Sequence, residues 1–525
     1  MRRFWLPAII FLAFVLRIVN LGNTPSGFTP DEASFGYDAY SLLKTGKDQW
    51  GKPWPIVLES FGDFKSPLYA YLTMPSVAVF GLNKFAVRFP NAIIGTLAVL
   101  VVYFLTKKLF KEKKLAIVAA LLLAISPWHL PLSRGAFEAN LTTFFLPLGI
   151  LFFLKKKFFV LSALVFGLNL FTYHSAKIVT PLVVIFLIIL YKKLNPMFLL
   201  IFSAFVGVTI YSFILGAGRR AGDINIYKGS LLEAAEVRIA KINSGANPLL
   251  ARAVYNKYTI TLKRFAVNYT SYFSPRFLFL KGPAEATYGM LPGKGVLYPI
   301  ESIFLAAFFY YLVKSRNKQY WFILFWILVA PLSASLTQGI GYAANRVAVM
   351  MPAIQIASAL GAMQLFKNIK KQKIIIAVVG LALLFAVGSF IKNYFNSKYI
   401  NSKAMLYGNL EVMDYLSQNY PKEKIIVSTQ LSEPQIYWAF ATKTDPETYQ
   451  KATEGWNYKE ANLPFLDQLP LYQLGNVSFK RIDWKQDSKV ADVIVGRPEE
   501  FPKDVTQTEV IYYPDGTSAI YAKAF

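Results

Sequence analysis

Met1–Gly22, MRRFWLPAIIFLAFVLRIVNLG, is a basic start followed by an apolar core, with no small-residue cleavage site behind it. It reads as a retained signal-anchor helix. The remainder fits that frame: 525 residues, 55% hydrophobic and 16% aromatic, with a mean hydropathy of +0.38. Such values suit a chain that crosses a membrane many times. A net charge of +26 would point to nucleic acid in a soluble protein. Here the lysines sit in short loops between apolar runs, so nucleic acid is rejected as a partner. The absence of cysteine excludes disulfides, thiolate metal sites and a cysteine nucleophile. His129 and His174 are the only imidazoles, which excludes a multi-histidine metal site.

The apolar runs lie near 5–21, 88–106, 115–131, 138–154, 158–173, 178–190, 197–216, 296–313, 320–336, 346–366 and 374–391. The short run Pro67–Gly81 holds two prolines and reads as a span or as a re-entrant or juxtamembrane helix. Loop charge decides between them. Lys107–Lys114, Lys155–Lys157, Tyr191–Lys193, Lys314–Lys318 and Lys367–Lys373 are basic, and all share the side of the basic N-terminus only if Pro67–Gly81 does not cross. The expectation is an α-helical polytopic membrane protein of about eleven spans, twelve or thirteen at the upper end. Its N-terminus is cytoplasmic, and residues 1–395 form the membrane domain.

The same topology gathers a second set of loops outside: Asn23–Ser66, Pro127–Glu138, Tyr173–Lys177, the long Ala217–Gly295 and Thr337–Arg346. They carry nearly all the unusual polar residues of the membrane half. From Asn396 to Phe525 the composition is that of a small soluble, extracytoplasmic α/β domain. Ile425–Thr429, Asp492–Val495 and Val510–Tyr513 read as strands, Tyr513–Thr517 as a hairpin turn, and Leu410–Gln418 and Pro434–Thr442 as helices.

The chemistry concentrates in Asp31–Tyr40, DEASFGYDAY, just after the first span. A carboxylate pair at the mouth of a membrane helix is costly unless it faces water, a cation or a reacting group. Asp31 and Glu32 could serve as helix N-terminal charge, or as a general base taking the proton of an acceptor hydroxyl. Lys65 and Arg88 are cations at the outer interface, where snorkelling is the plain alternative. Arg134 and Glu138, four apart, fit a helical ion pair. His174 and Lys177 flank a turn, His174 as a packing residue or more, and Arg346 opens a span as an interfacial anchor or a ligand. Phe28, Phe35, Tyr37, Tyr40, Trp50 and Trp54 would serve as an interface belt or as sugar-stacking platforms. Gly289–Gly295 has the wrong spacing for a phosphate loop, and no dinucleotide fingerprint follows a strand.

Taken in order, Asp31-Glu32, Lys65–Tyr69 (KSPLY), Arg88–Pro90 (RFP), Ser126–Trp128, Ser133-Arg134, Glu138–Asn140, Tyr272–Pro275, Phe277–Gly282 and Asn345-Arg346 resemble the membrane glycosyltransferases of the GT-C class. The branch the chain looks most like is glycosyltransferase family 39, with its protein O-mannosyltransferases, and the related aminoarabinose transferase of lipid A. The resemblance implies a GT-C fold in the cell membrane and a polyprenyl-phosphate monosaccharide as donor. It implies a protein, lipid or glycan hydroxyl as acceptor, and inversion at the transferred sugar. Asp31 takes the position of the proposed catalytic base, with Glu32 in support. Lys65 falls where relatives place a lysine near the donor phosphate, although Ser66 replaces a proline common among them. Arg88, Arg134, Glu138, His174, Lys177 and Arg346 are carried over as donor phosphate- or sugar-binding candidates. Some relatives bind a divalent metal; with so few histidines, none is expected here, nor any other cofactor. The competing readings are a lipid-linked glycan polymerase or ligase, and a lipid-linked sugar flippase or transporter. The latter would place charges within spans at mid-bilayer, whereas these spans are nearly free of Asp and Glu.

Overall fold

Every apolar run is helical in the computed structural model, which describes residues 4–218, 226, 231–245, 247–283, 288–337, 343–367, 372–396 and 401–525. The basic residues at 1–3, the 368–371 part of the last basic loop, and parts of the 217–295 and 337–346 loops lie outside the described residues. The N-terminal half runs through α1 (Trp5–Ile18), α2 (Pro30–Thr45), α3 (Leu68–Phe80), α4 (Lys84–Phe110), α5 (Lys113–Ala124), α6 (His129–Leu132), α7 (Thr142–Phe153), α8 (Phe159–Leu170), α9 (Ala176–Tyr191) and α10 (Pro196–Ser212). Helices at Glu301–Lys314, Lys318–Val329, Met351–Lys367 and Gln372–Asn396 follow. Among the described residues, four helical stretches are long and apolar enough to cross a bilayer: Lys84–Phe110, Pro196–Gly216, Asn345–Lys367 and Lys373–Asn396. The others are shorter; α1, at 14 residues, extends only about 21 Å. Pro75 lies inside α3, consistent with a helix too short to span.

The bundle packs α1 against α4 and α5, α4 against α7, and α8 against α10, with Met351–Lys367 against Glu301–Lys314 and α5. Its centre is apolar and tight, built on residues such as Trp128, Leu146, Phe166, Trp326 and Met350. Some of the polar side chains inside pair with one another: Asn140 donates to Asn91 at 2.9 Å, and Arg17 meets His129 Nδ1 at 2.8 Å. Burial without such partners would cost several kcal/mol, of the order of 2–7 per group.

Residues after Asn401 form an α/β unit on a six-stranded sheet. Its strands are β3 (Ile425–Ser428), β4 (Tyr472–Leu474), β5 (Val477–Lys480), β6 (Val493–Gly496), β7 (Glu509–Tyr512) and β8 (Ser518–Ala524), in spatial order β4-β5-β3-β6-β8-β7. β3 runs parallel to β5 and β6, and the remaining pairs are antiparallel. The expected strands appear as β3, β6 and β7, and the expected helices as Asn409–Asn419 and Pro434–Thr442. The turn at Tyr513–Thr517 closes through a 2.8 Å backbone hydrogen bond. β4, β5 and β8 were not expected. YQL and VSFK do alternate apolar and polar residues but are only three and four residues long, and SAIYAKA does not keep the alternation, so none stands out as a strand.

A small hairpin, β1 (Leu58–Glu59) with β2 (Phe64–Lys65), rises from the loop after α2. Its turn glycine, Gly62, has φ +110, and an added Cβ would run into the Pro464 carbonyl. The C-terminal unit therefore lies directly on this hairpin and on α2. Leu466 N donates to Phe61 O at 3.1 Å, Tyr37 Oη to Thr444 O at 2.8 Å, and Tyr437 Oη to Phe28 O at 2.7 Å. The aromatics of the first loop form much of this seam. Phe28 packs on Phe440 and Tyr37 on Tyr449, each pair 5.0 Å apart, and Trp50 meets Trp456 edge-on at 6.0 Å. Phe28, Phe35 and Tyr37 are buried, which corrects their reading as an interface belt or as sugar platforms; Trp54 alone of the six is largely exposed.

Candidate functional site

The site begins at the start of α2. Thr29 Oγ1 accepts from Glu32 N at 3.2 Å and Glu32 Oε2 accepts from Thr29 N at 3.1 Å, with Pro30 at the first helical position. This capping box fixes the first turn and sends its two carboxylates in different directions. Asp31 faces outward, with 48% of its side chain exposed, and meets Lys65 Nζ at 2.6 Å. The lysine is only 2% exposed. Its ammonium lies over the rings of Phe35 at 5.0 Å and Phe61 at 5.3 Å. The hairpin thus delivers a nearly desolvated cation to a half-exposed carboxylate.

Glu32 turns inward. Its carboxylate accepts Arg88 Nε at 2.8 Å, an Arg88 Nη2 at 3.2 Å and the Ala136 amide at 3.0 Å. Arg88 gives its remaining donors to the carbonyls of Leu21, Pro25 and Gly27. Both side chains are fully buried. Arg134 has a similar role on the neighbouring turn, donating to the carbonyls of Leu16, Val19 and Thr24 and lying over Phe395 at 4.7 Å. Snorkelling does not describe Arg88, and a helical ion pair does not describe Arg134 with Glu138. α6 ends at Leu132, and Glu138 opens a separate 3-10 turn, Glu138–Leu141. That turn packs on α3, α4 and the 3-10 turn Asn345–Met350.

The remaining candidates sit on adjoining turns. Asn345 Nδ2 donates to Tyr173 Oη at 3.2 Å, tying the Arg346 turn to the His174 loop. Leu68 N reaches Phe171 O at 3.3 Å, tying that loop to the end of the Lys65 hairpin. Arg346 Nη1 holds Thr337 Oγ1 at 2.5 Å. Lys177 lies 5.3 Å from the Phe213 ring, in the helical segment Phe213–Ala217 that touches β2. The structure therefore joins Asp31 to Lys65 directly, reaches the His174 and Lys177 turns from the hairpin and its end, and links the Glu138 and Arg346 turns to each other. Glu32, Arg88 and Arg134 form the buried support behind them.

Three further carboxylates belong here and escaped the sequence reading. Asp38, two turns after Asp31 on α2, is buried; it accepts from Gln49 N at 3.1 Å and Gln49 Nε2 at 3.2 Å. Burial pushes its carboxyl well up, the nearby Asp48 charge adds to the rise, and Lys65 partly opposes it. The i, i+3, i+7 spacing of Asp31, Ser34 and Asp38 marks one helix face and was the available signal. Glu433 comes from the C-terminal unit, buried, with Gln435 Nε2 at 2.9 Å from its Oε2. Burial raises its carboxyl well above the ordinary range; Asp467 and Asp31 reinforce this and Lys65 opposes it. Glu433 follows Ser432, and both adopt left-handed φ, +53 and +55 respectively. Such conformations cost of the order of 1–3 kcal/mol each and persist where surrounding structure enforces them. Asp467 is likewise raised by burial, with Arg481 opposing.

Residues 64–215 match the family described as dolichyl-phosphate-mannose-protein mannosyltransferase, a span that includes Lys65, Arg88, Arg134, Glu138, His174 and Lys177. An uncharacterized protein of Aquifex aeolicus is 25% identical over 198 residues, covering 37% of this chain and 38% of its own. Two structures of ArnT from Cupriavidus metallidurans share the fold across 99% of this chain. The apo form has a TM-score of 0.55 over 97% of its length, and the form bound to undecaprenyl phosphate 0.52 over 98%, each at 11% identity. The Archaeoglobus fulgidus oligosaccharyltransferase, solved with zinc and sulfate, aligns at TM-score 0.53 and 16% identity over 83% of this chain, which spans 61% of that one. A zinc-like donor set does not fit here. Among the described residues no three His, Asp or Glu side chains converge, and the Lys65 ammonium stands against Asp31. In the sequence of 64–215 and in the fold of nearly its whole length, the chain is akin to the GT-C membrane glycosyltransferases related to the aminoarabinose transferase.

Proposed function

We propose that the chain is an inverting membrane glycosyltransferase that moves a monosaccharide from a polyprenyl-phosphate donor to an acceptor hydroxyl on the outer face of the cell membrane. The Asp31–Lys65 pair carries this reading. One transfer needs a base for the acceptor proton and a cation for the phosphate leaving group, and the two are in contact at 2.6 Å. In the resting arrangement each neutralises the other. An arriving donor phosphate would draw Lys65 away from Asp31 and leave the carboxylate free to accept a proton. The acceptor oxygen then bonds to the anomeric carbon as its proton passes to Asp31. The bond from that carbon to the phosphate oxygen breaks, and its electron pair leaves on the polyprenyl phosphate. Lys65, held in an apolar sleeve by Phe35 and Phe61, stabilises that developing charge more than it would in water.

About eleven spans, with residues 1–395 as membrane domain and 396–525 outside, supply the setting. The apolar bundle gives the polyprenyl tail a place to lie, and the loops that converge on Asp31 all fall on one side. The fold shared with an oligosaccharyltransferase favours a second reading, a ligase with a lipid-linked glycan as donor. Reconstituted protein offered a polyprenyl-phosphate monosaccharide, or a lipid-pyrophosphate oligosaccharide, separates the two. Transfer from the first alone, abolished in Asp31→Asn while membrane insertion persists, is the expected result. Full activity in Asp31→Asn would end the assignment.

A further inference from the structure

In the C-terminal sheet, β3 and β5 run parallel and side by side, yet the chain leaves them toward opposite faces. After β3 it enters the helix Pro434–Thr442, which packs with Ile425 and Val427. After β5 it enters the short helix Trp484–Asp487, whose Trp484 packs with Ile426 and Ile494. Where consecutive connections part in this way, a crevice opens beyond the carboxyl ends of the strands, and ligands of α/β sheets bind there. This chain has such a cleft, about 580 Å³ in volume, a size typical of small-molecule sites. Thr429 and Gln430 line it from the end of β3, Arg481 from the end of β5, and Asp467 from the opposite wall.

The lining is chemically mixed. Arg481 only donates hydrogen bonds, Asp467 in its ionised form only accepts them, and Thr429 and Gln430 do both. Leu469 and Pro470 add a short apolar edge. A ligand with neighbouring hydroxyls and an exposed C–H face, a saccharide, satisfies that set. A nucleotide or a simple anion would leave Asp467 facing like charge.

The cleft is also tied to the Asp31–Lys65 pair through the chain of its wall. Its Asp467 wall leans on the hairpin that carries Lys65, through Leu466 N to Phe61 O and through Pro464 against Gly62. The Glu433 carboxyl, at the start of the helix that follows β3, is influenced by the charges of Asp467, Lys65 and Asp31 alike. Gln435 anchors its carboxyl and is itself held by Tyr472 Oη at 2.7 Å.

We propose that this cleft is the acceptor subsite and that the acceptor is a saccharide, whose neighbouring hydroxyls Asp467 and Arg481 hold while another of its hydroxyls is presented past Glu433 to Asp31. The proposal rests on the transferase reading for its role, but its binding can be tested alone. Full-length protein in lipid nanodiscs is titrated with maltotriose, cellotriose, an N-acetylglucosamine trimer and a serine/threonine-rich peptide, followed by saturation-transfer NMR. At least one trisaccharide should bind. Arg481→Gln, at an exposed position where folding is not at stake, and Asp467→Asn should each weaken it by about tenfold or more, the loss of a charge-assisted hydrogen bond. Undecaprenyl-phosphate binding, read by thermal shift, should be unchanged in both. No trisaccharide binding, binding indifferent to Arg481→Gln, or binding of the peptide alone would overturn the proposal. Saccharide binding with no transfer from any polyprenyl-phosphate donor would instead defeat the transferase reading and leave the subsite standing.

Discussion

Glu32 and Arg88 are locked together by hydrogen bonds of 2.8 and 3.2 Å, with neither side chain reached by solvent. A buried pair of this kind contributes little by itself, but removing one partner strands the other charge and costs about 3–5 kcal/mol. Glu32→Gln should therefore lower the thermal midpoint in detergent sharply, while the folded fraction keeps its turnover per molecule. A loss of turnover at an unchanged midpoint would return Glu32 to the reacting centre.

Lys65 should show the opposite signature. Lys65→Met keeps the bulk of the side chain within the Phe35–Phe61 sleeve and removes only the charge. The expected outcome is a rise in donor KM and a fall in kcat of about 100-fold or more, typical of losing one group aimed at developing charge, with the midpoint nearly unchanged. Steady-state kinetics with a polyprenyl-phosphate sugar reads both, and unaltered donor dependence would remove Lys65 from the phosphate.

Much of this was legible beforehand. Asp31 and Lys65 stand out because each is a charge beside a membrane helix, and composition alone separated the bundle from the sheet unit. Arg88, Arg134 and Glu32 were not separable from them. Charges that solder a loop from within and charges that face outward look alike in sequence; what separates them is the partner, backbone carbonyls for Arg88 and Arg134 and the half-exposed Asp31 for Lys65. Glu433 was out of reach for another reason. It lies 402 positions after Asp31 by number (433 − 31), and no local pattern announces that the two share a site.

Asp38 predicts a pH dependence. Its folded carboxyl is raised to about 8, against an ordinary value of about 4. A raised carboxyl adds stability that is complete below the ordinary value and is lost as pH climbs through the folded one. The thermal midpoint of the wild type should fall between about pH 4 and pH 8, and Asp38→Asn should flatten that slope. An identical slope in the variant would assign the dependence elsewhere.

Burial, with the Asp467 and Asp31 charges, holds the Glu433 carboxyl well above the ordinary range, so its ionisation adds a negative charge beside the base at a higher pH than an ordinary carboxyl would. Transfer rates should fall on the alkaline side, and Glu433→Gln, neutral at every pH, should keep the rate high there. A pH–rate profile that loses its alkaline limb only in the variant is the expected result; parallel profiles would place Glu433 outside the reaction.

The hairpin beneath Lys65 is held by partners made much later in the chain. Glu59 takes a hydrogen bond from Tyr458 across 399 positions, and Lys459 pairs with the same carboxylate. At ribosomal speed that interval is roughly 20–80 s. During it the hairpin has its local partners, Lys52 on Glu59 at 2.7 Å and Trp50 Nε1 on Ser60 O at 2.9 Å, but not those of the sheet unit. Assembly order thus sets a sequence: the hairpin beneath Lys65 gains its full set of partners only once the chain has been made as far as Lys459.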